Sequence, residues 1–213
     1  MNITKLEQAQ EAFLERFPGG FAHPEMLAIA KKHKVEKMTA LVQDRFAKAK
    51  FKDTDAIVAA MSEVVGKSSL VSIFEKPRFK EFAGLMLPED KKQLAGGIRA
   101  WLHGDRQAGF EAVLDVLAAG RLAKWSLQTV IPMYFHPTTE VFLKPTTVKG
   151  VIEFFELEVP PYRPTPSWEF YEAYHAAIMD MQDRVDPSLR LATAAFCGFL
   201  MMSMGAHVPG EMI

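Results

Sequence analysis

Between Thr4 and Ala119 apolar side chains recur at spacings of three and four, interrupted by turn residues, and this periodicity commits more than half of the chain to short packed helices. Ile57, Met61, Val64 and Val65 form one such face, and Phe110, Val113, Leu114 and Leu117 another. Helices are expected over 4–17, 24–33, 35–50, 54–66, 70–86, 89–103 and 106–119, the fifth broken or restarted at Pro77. Thr4-Lys5-Leu6-Glu7 has the form of a capping box, and Leu6, Phe13 and Phe17 give the first helix its buried face. Pro18-Gly19-Gly20 ends that helix, because proline cannot continue it and glycine tolerates positive φ. No repeat of fixed period is present, so a HEAT-like array is not required.

Beyond Arg121 the texture changes. Thr129 to Phe135 is β-branched and aromatic, His136-Pro137-Thr138-Thr139 is turn-like, and Glu140 to Leu143 follows, which together predict a short β-hairpin. Thr146 or Thr147 then caps a helix to about Leu157, with Val148, Ile152 and Phe155 on its apolar face. Pro160-Pro161-Tyr162-Arg163-Pro164-Thr165-Pro166 must be extended, since its prolines fix φ and donate no backbone hydrogen bond. Two closing helices are expected, over Ser167–Arg184 and Pro187–Met204, the second capped by Asp186. The expected class is mainly α: a multi-helical bundle or irregular array with one short β-hairpin at about 129–144. Its organisation is either a basic helical region 1–104 followed by region 105–213, or a single domain 1–213.

The chain has 213 residues, 49% hydrophobic and 24% charged, enough to bury a core without a disulfide or structural metal. Disordered, collagenous and disulfide-stapled classes are excluded. The single Cys197 lies in an apolar run, where a buried inert thiol is expected. Lys5, Glu7, Glu11, Glu15 and Arg16 interrupt the uncharged run that a secretory signal needs, and the longest apolar run, Leu191 to Met204, is shorter than the roughly 20 residues of a spanning helix. A bacterial-type cytoplasmic protein without membrane attachment is the expectation.

Motifs that would name a reaction are missing. Gly66-Lys67-Ser68 has Met61 where a phosphate-binding loop needs glycine, and a helix precedes it instead of a strand. Glu172-Ala173-Tyr174-His175 puts a carboxylate and an imidazole on one helix face, but a di-iron bundle needs a second copy. The other histidines, 23, 33, 103, 136 and 207, have no ligand spacing, so neither a metal nor a cofactor is expected and catalytic residues stay unassigned.

Three features carry candidate sites. Residues 1–100 hold 17 basic and 13 acidic side chains, residues 101–213 hold 8 and 13, and the densest basic stretch is Lys31 to Lys52. On one continuous helix Lys31, Lys34, Lys37, Arg45, Lys48 and Lys52 would share a sector of about 120°, a stripe able to follow a phosphate backbone. Met38 and Leu41 project into the same sector. Lys144, Thr146, Thr147 and Lys149 place two cations and two hydroxyls at a helix start, where free amides favour an anion. Tyr162, Arg163, Trp168 and Tyr171, with Phe170, Tyr174 and His175 close by, make an aromatic group able to stack a flat ligand or pin the proline strap.

The order helix, helix, short helix (Leu122 to Gln128), hairpin resembles a winged helix-turn-helix over about a quarter of the chain, which implies DNA reading by Arg121, Lys124 and Gln128. The wing tip, His136 to Glu140, departs from that pattern in not being basic. In texture the chain also resembles a family of mainly helical bacterial proteins, without assigned activity, that carry a hairpin, a Lys-Pro-Thr-Thr helix start (Lys144 to Thr147) and a Trp-x-Phe-Tyr helix (Trp168 to Tyr171). The leading expectation is a nucleic-acid-associated protein that contacts DNA or RNA phosphates through the 31–52 stripe. The alternatives are a non-catalytic helical protein that binds a protein partner or itself, and a sensor or enzyme for a small anionic ligand.

Overall fold

In the computed structural model, which describes residues 1–205, eleven α-helices are joined by turns and by two longer links, 136–144 and 155–167, and no strand occurs among the described residues. They are α1 (Ile3–Arg16), α2 (Pro24–Lys32), α3 (Val35–Arg45), α4 (Thr54–Lys67), α5 (Glu75–Leu85), α6 (Pro88–His103), α7 (Arg106–Ala119), α8 (Trp125–Phe135), α9 (Pro145–Phe154), α10 (Trp168–Arg184) and α11 (Thr193–Ser203). Single 3-10 turns lie at Gly20–Ala22, Lys48–Lys52 and Pro187–Leu189. Mainly α is therefore the observed class. No helix among the described residues is long and apolar enough to cross a membrane.

Local chemistry sets the boundaries. Asn2, not Thr4, caps α1, its Oδ1 accepting from Lys5 N at 3.1 Å, so the Thr4 to Glu7 capping box is not formed. Lys34 takes a left-handed conformation (φ 54°) and separates α2 from α3. Pro77 sits in the first turn of α5, where its missing N–H costs no intrahelical bond, so α5 runs through it unbroken. Asp186 caps only the 3-10 turn, through Ser188 N at 2.8 Å, and α11 begins later, at Thr193.

The hairpin expected at 129–144 is not present: its first arm is the helix α8 and its second is an extended, unpaired segment, 140–144. Ten of the eleven residues of α8 are buried, and a helix apolar on every side belongs in the centre of a core, where packing overrides β-propensity. Thr129 turns its hydroxyl back onto Trp125 O at 2.8 Å and accepts from Leu143 N at 3.1 Å, so the extended segment is tied to the helix by a side chain instead of a ladder. With no wing, and with Trp125, Ser126, Leu127 and Gln128 buried, the winged helix-turn-helix reading is overturned: this helix cannot enter a DNA groove.

Two apolar clusters meet across α6, α7 and α8. The first gathers side chains from α3 to α8. The second joins α1, α9, α10 and α11 to Trp101, Phe110 and Trp125. Helices α6 and α7 form an antiparallel pair that approaches very closely at Gly109, where an added Cβ would sit 2.2 Å from Trp101 N and 2.7 Å from Gly97 O. Asp105 caps α7 by accepting from Ala108 N at 3.0 Å. The short Gly104-Asp105 link thereby holds His103 and Arg106 side by side at one end of the pair.

Candidate ligand-binding cleft

Beside that link lies a cleft of about 470 Å³, lined by Trp101, Leu102, His103, Gly104, Arg106, His136, Thr139, Glu140 and His175. Four separate pieces of chain supply its polar groups: the end of α6, the start of α7, the turn after α8, and the middle of α10.

Glu140 anchors the wall. It is 3% exposed, and a carboxylate so buried is tolerated only when its charge and lone pairs are met. Arg106 Nη2 donates to Oε1 at 2.8 Å, while Trp101 Nε1, at 3.2 Å, and the Tyr171 hydroxyl both donate to Oε2. The Thr193 hydroxyl donates to the Glu140 backbone carbonyl and, at 3.1 Å, to Pro137 O, so the start of α11 fixes the same turn. Burial, and then the Glu140 charge, push the Tyr171 hydroxyl well above the ordinary tyrosine range, so it keeps its proton and remains a donor. Arg106 also lies over the Trp168 ring, 5.8 Å from its centroid, and its Nε is buried without a partner among the described residues.

The three imidazoles share one arrangement. His103 Nε2 bonds Phe46 O at 2.9 Å, His136 Nε2 bonds Leu102 O at 3.0 Å, and His175 Nε2 bonds Thr139 O at 2.5 Å. A carbonyl only accepts, so Nε2 carries the hydrogen in each ring, and Nδ1 is the nitrogen left for other partners. His103 is further held by ring-edge contacts with Phe51 and Phe135, at centroid distances of 5.7 and 5.1 Å. Among the described residues no group of three or more His, Cys, Asp or Glu is arranged to hold a metal ion. The imidazoles therefore line one surface without converging on a point.

The residues singled out from sequence lie elsewhere, except in the aromatic group. The continuous helix assumed for the basic stripe does not form: Lys31 is on α2, Lys34 in the left-handed break, Lys37 and Arg45 on α3, and Lys48 and Lys52 in a 3-10 turn. All six are exposed, but Arg45 is engaged with Glu63 at 3.2 Å, and Met38 points into the core.

At the start of α9, Thr146 is exposed, whereas Thr147 is buried with its hydroxyl 3.8 Å from Met201 Sδ. Lys149 lies over the Tyr162 ring at 5.2 Å. Lys144 sits at the helix cap, close enough that burial, then Lys32, then Lys144 hold the His33 pKa below its ordinary value. Lys144 and Lys149 thus have different neighbours, and Thr147 faces inward.

In the aromatic group, Tyr162 packs on Trp125 and Phe170, at 6.4 and 5.6 Å, and Trp125 Nε1 donates to Arg163 O at 2.8 Å, so these contacts pin the proline strap. The Arg163 side chain stays exposed, Trp168 is half-buried, and Tyr171 is fully buried with no ring face open to a ligand.

Sequence reasoning therefore reached Tyr171 and His175 but passed over Trp101, His103, Arg106, His136 and Glu140. One signal was available: Glu140 is a lone carboxylate leading directly into the apolar run Val141-Phe142-Leu143. No family model matches the chain, and no curated protein or solved structure matches it.

Proposed function

We propose that the protein binds a small anionic molecule, of carboxylate or phosphate type, in the cleft between the α6–α7 link, the turn after α8 and α10. One observation carries this reading: the Arg106 guanidinium and three imidazoles line one concave surface, and each imidazole, its Nε2–H held by a backbone carbonyl, donates to an anion through Nδ1 in its protonated form. A volume of about 470 Å³ lies within the range of small-molecule sites. Glu140 does not compete for the ligand, because both its oxygens are occupied. It orients Arg106, whose side chain remains 41% exposed and has further N–H donors matched to a carboxylate or phosphate. Trp101 and Leu102 supply the apolar part of the lining. No reaction is assigned, and a cytoplasmic setting accords with the free, partly buried thiol of Cys197, which desolvation pushes up to about 12.

Thermal melting in orthophosphate, sulfate and succinate tests the proposal. A ligand at 100 times its Kd stabilises by about 2.7 kcal/mol, which raises the Tm of a chain of this size by roughly 5 to 10 °C. His136→Gln and His175→Gln keep an amide donor where Nε2 was and should lose most of that rise. An unchanged rise in both variants, or none with any of the three anions, rejects the cleft as the site.

A second reading rests on a different observation. Lys31, Lys32, Lys34, Lys37, Lys48, Lys50 and Lys52 are exposed and form no ion pair among the described residues, which supports a nucleic-acid phosphate surface made from three elements. Anisotropy of labelled DNA and RNA at two salt concentrations tests it: binding must weaken with salt and vanish on Lys31, Lys34, Lys48 and Lys52→Glu substitution. Absence of binding at low salt removes it.

A further inference from the structure

We infer that the outer face of α5 is a two-fold interface on which a second copy of this chain docks antiparallel. This rests on a different part of the molecule from the cleft and stands whether or not the cleft binds an anion.

The inner side of α5 is fixed. Phe79 and Ala83 are buried, Glu75 accepts from the Ser126 hydroxyl at 2.6 Å, and the Phe82 ring fills the space where a Cβ on Gly120 would sit, 2.6 Å away. At about 100° per residue the opposite side carries Phe74, Pro77, Arg78, Glu81 and Leu85 within a sector of about 100°. All five are exposed, Phe74 at 77% and Leu85 at 75%. Of the seven large hydrophobic residues exposed among the described residues, four lie at the two ends of this helix: Ile73 and Phe74 at one, Leu85 and Leu87 at the other. Single exposed apolar side chains are ordinary on a monomer, whereas this concentration at and just beyond the two ends of one helix marks a contact surface.

The order of groups along the strip selects the occupant. It reads apolar, cation, anion, apolar: Phe74, Arg78, Glu81, Leu85. Phe74 and Leu85 are equidistant from its midpoint, and so are Arg78 and Glu81. A two-fold axis through that midpoint therefore brings Phe74 onto the partner subunit's Leu85 and Arg78 onto the partner subunit's Glu81, with each contact repeated by symmetry. Arg78 and Glu81 form no ion pair within the chain among the described residues, so both charges are available for the crossing. The strip is self-complementary in charge and in apolar ends, which an unrelated partner would have no reason to match. One helix face is a small interface, so the dimer is reversible, with Kd on the order of 10 μM.

Sedimentation equilibrium on the full chain, from about 2 to about 200 μM, spans that range. Wild type should rise from monomer to dimer mass. R78E places like charges in both crossings, and so does E81R, so each alone should raise Kd at least about tenfold. An equimolar mixture of the two restores both crossings with reversed sign and should recover the dimer; F74S should abolish it. These positions are exposed, and circular dichroism and melting confirm folding of each variant. A wild type that stays monomeric, a dimer indifferent to R78E and E81R, or a mixture that fails to re-associate overturns the inference.

Discussion

Replacing Arg106 by Met removes the only cation bonded to the Glu140 carboxylate among the described residues and leaves the volume of the side chain nearly unchanged. Breaking a fully buried pair costs roughly 3 to 5 kcal/mol, because the remaining charge has lost its compensation, whereas an exposed pair contributes about 0 to 1 kcal/mol. Here the Glu140 side chain is 4% exposed and that of Arg106 is 41% exposed, so the pair lies between these limits. The expected loss is about 2 to 3 kcal/mol after discounting for the solvent that reaches the guanidinium. In a chain of this length that lowers Tm by roughly 4 to 12 °C. Urea unfolding followed by circular dichroism measures the loss directly.

The sharper readout is the same substitution in a Glu140→Gln background. Glutamine keeps an acceptor and drops the charge, so Arg106→Met should then cost about 1 kcal/mol or less, the remainder coming from its packing over Trp168. An equal cost in both backgrounds would show that an uncompensated carboxylate is not what destabilises the variant, and would refute the reasoning.

Gly109→Ala should destabilise by about 3 kcal/mol or more, because its Cβ would lie 2.2 Å from Trp101 N and must force α6 from α7; a loss below about 1 kcal/mol in urea unfolding would contradict that packing. His33 has a folded-state pKa below its ordinary 6.5 through burial, Lys32 and Lys144, so the unfolded chain binds more protons near that pH. The stability it contributes is complete above pH 6.5 and declines as pH falls through that value, so His33→Gln should lose less stability than wild type between about pH 7.5 and about pH 5.5. Equal losses in the two proteins would count against this. Cys197 is partly buried and its thiol is pushed up to about 12 by desolvation, so it should be alkylated by iodoacetamide more slowly than a free thiol at about pH 8, and faster in urea than in the folded protein. Rapid modification of the folded protein would show the thiol to be accessible.

The helices of the first 119 residues were legible because each sits at the surface of the core and so carries both a periodic face and a stop signal. Lys34 and Pro18 mark boundaries for reasons of backbone geometry that act locally, whereas Pro77 lies inside the first turn of α5 without breaking it and the helix expected to reach residue 50 stops at Arg45. Helix α8 was not legible, because a helix enclosed on all sides has no polar face to reveal its period, and Thr129 to Phe135 then reads as a strand. The cleft was hidden for a different reason. His103 and Arg106 are three residues apart, but they reach His136, Glu140 and His175 only through the α6–α7 crossing and the turn after α8. Tyr171 was selected as an aromatic surface, whereas what it supplies is a hydroxyl inside the core. Motif spacing reports neighbours along the chain, and none of these contacts is local.

The binding claim is tested most directly by two-dimensional NMR of ¹³C-labelled histidine rings, assigned by single His→Gln substitutions, during titration with orthophosphate and then succinate. The account predicts saturable shifts of the His103, His136 and His175 signals with one of these anions, while His23 and His33, which do not line the cleft, stay in place. Unmoved signals throughout both titrations, or shifts of His23 and His33 as large as those of the three cleft rings, would contradict it.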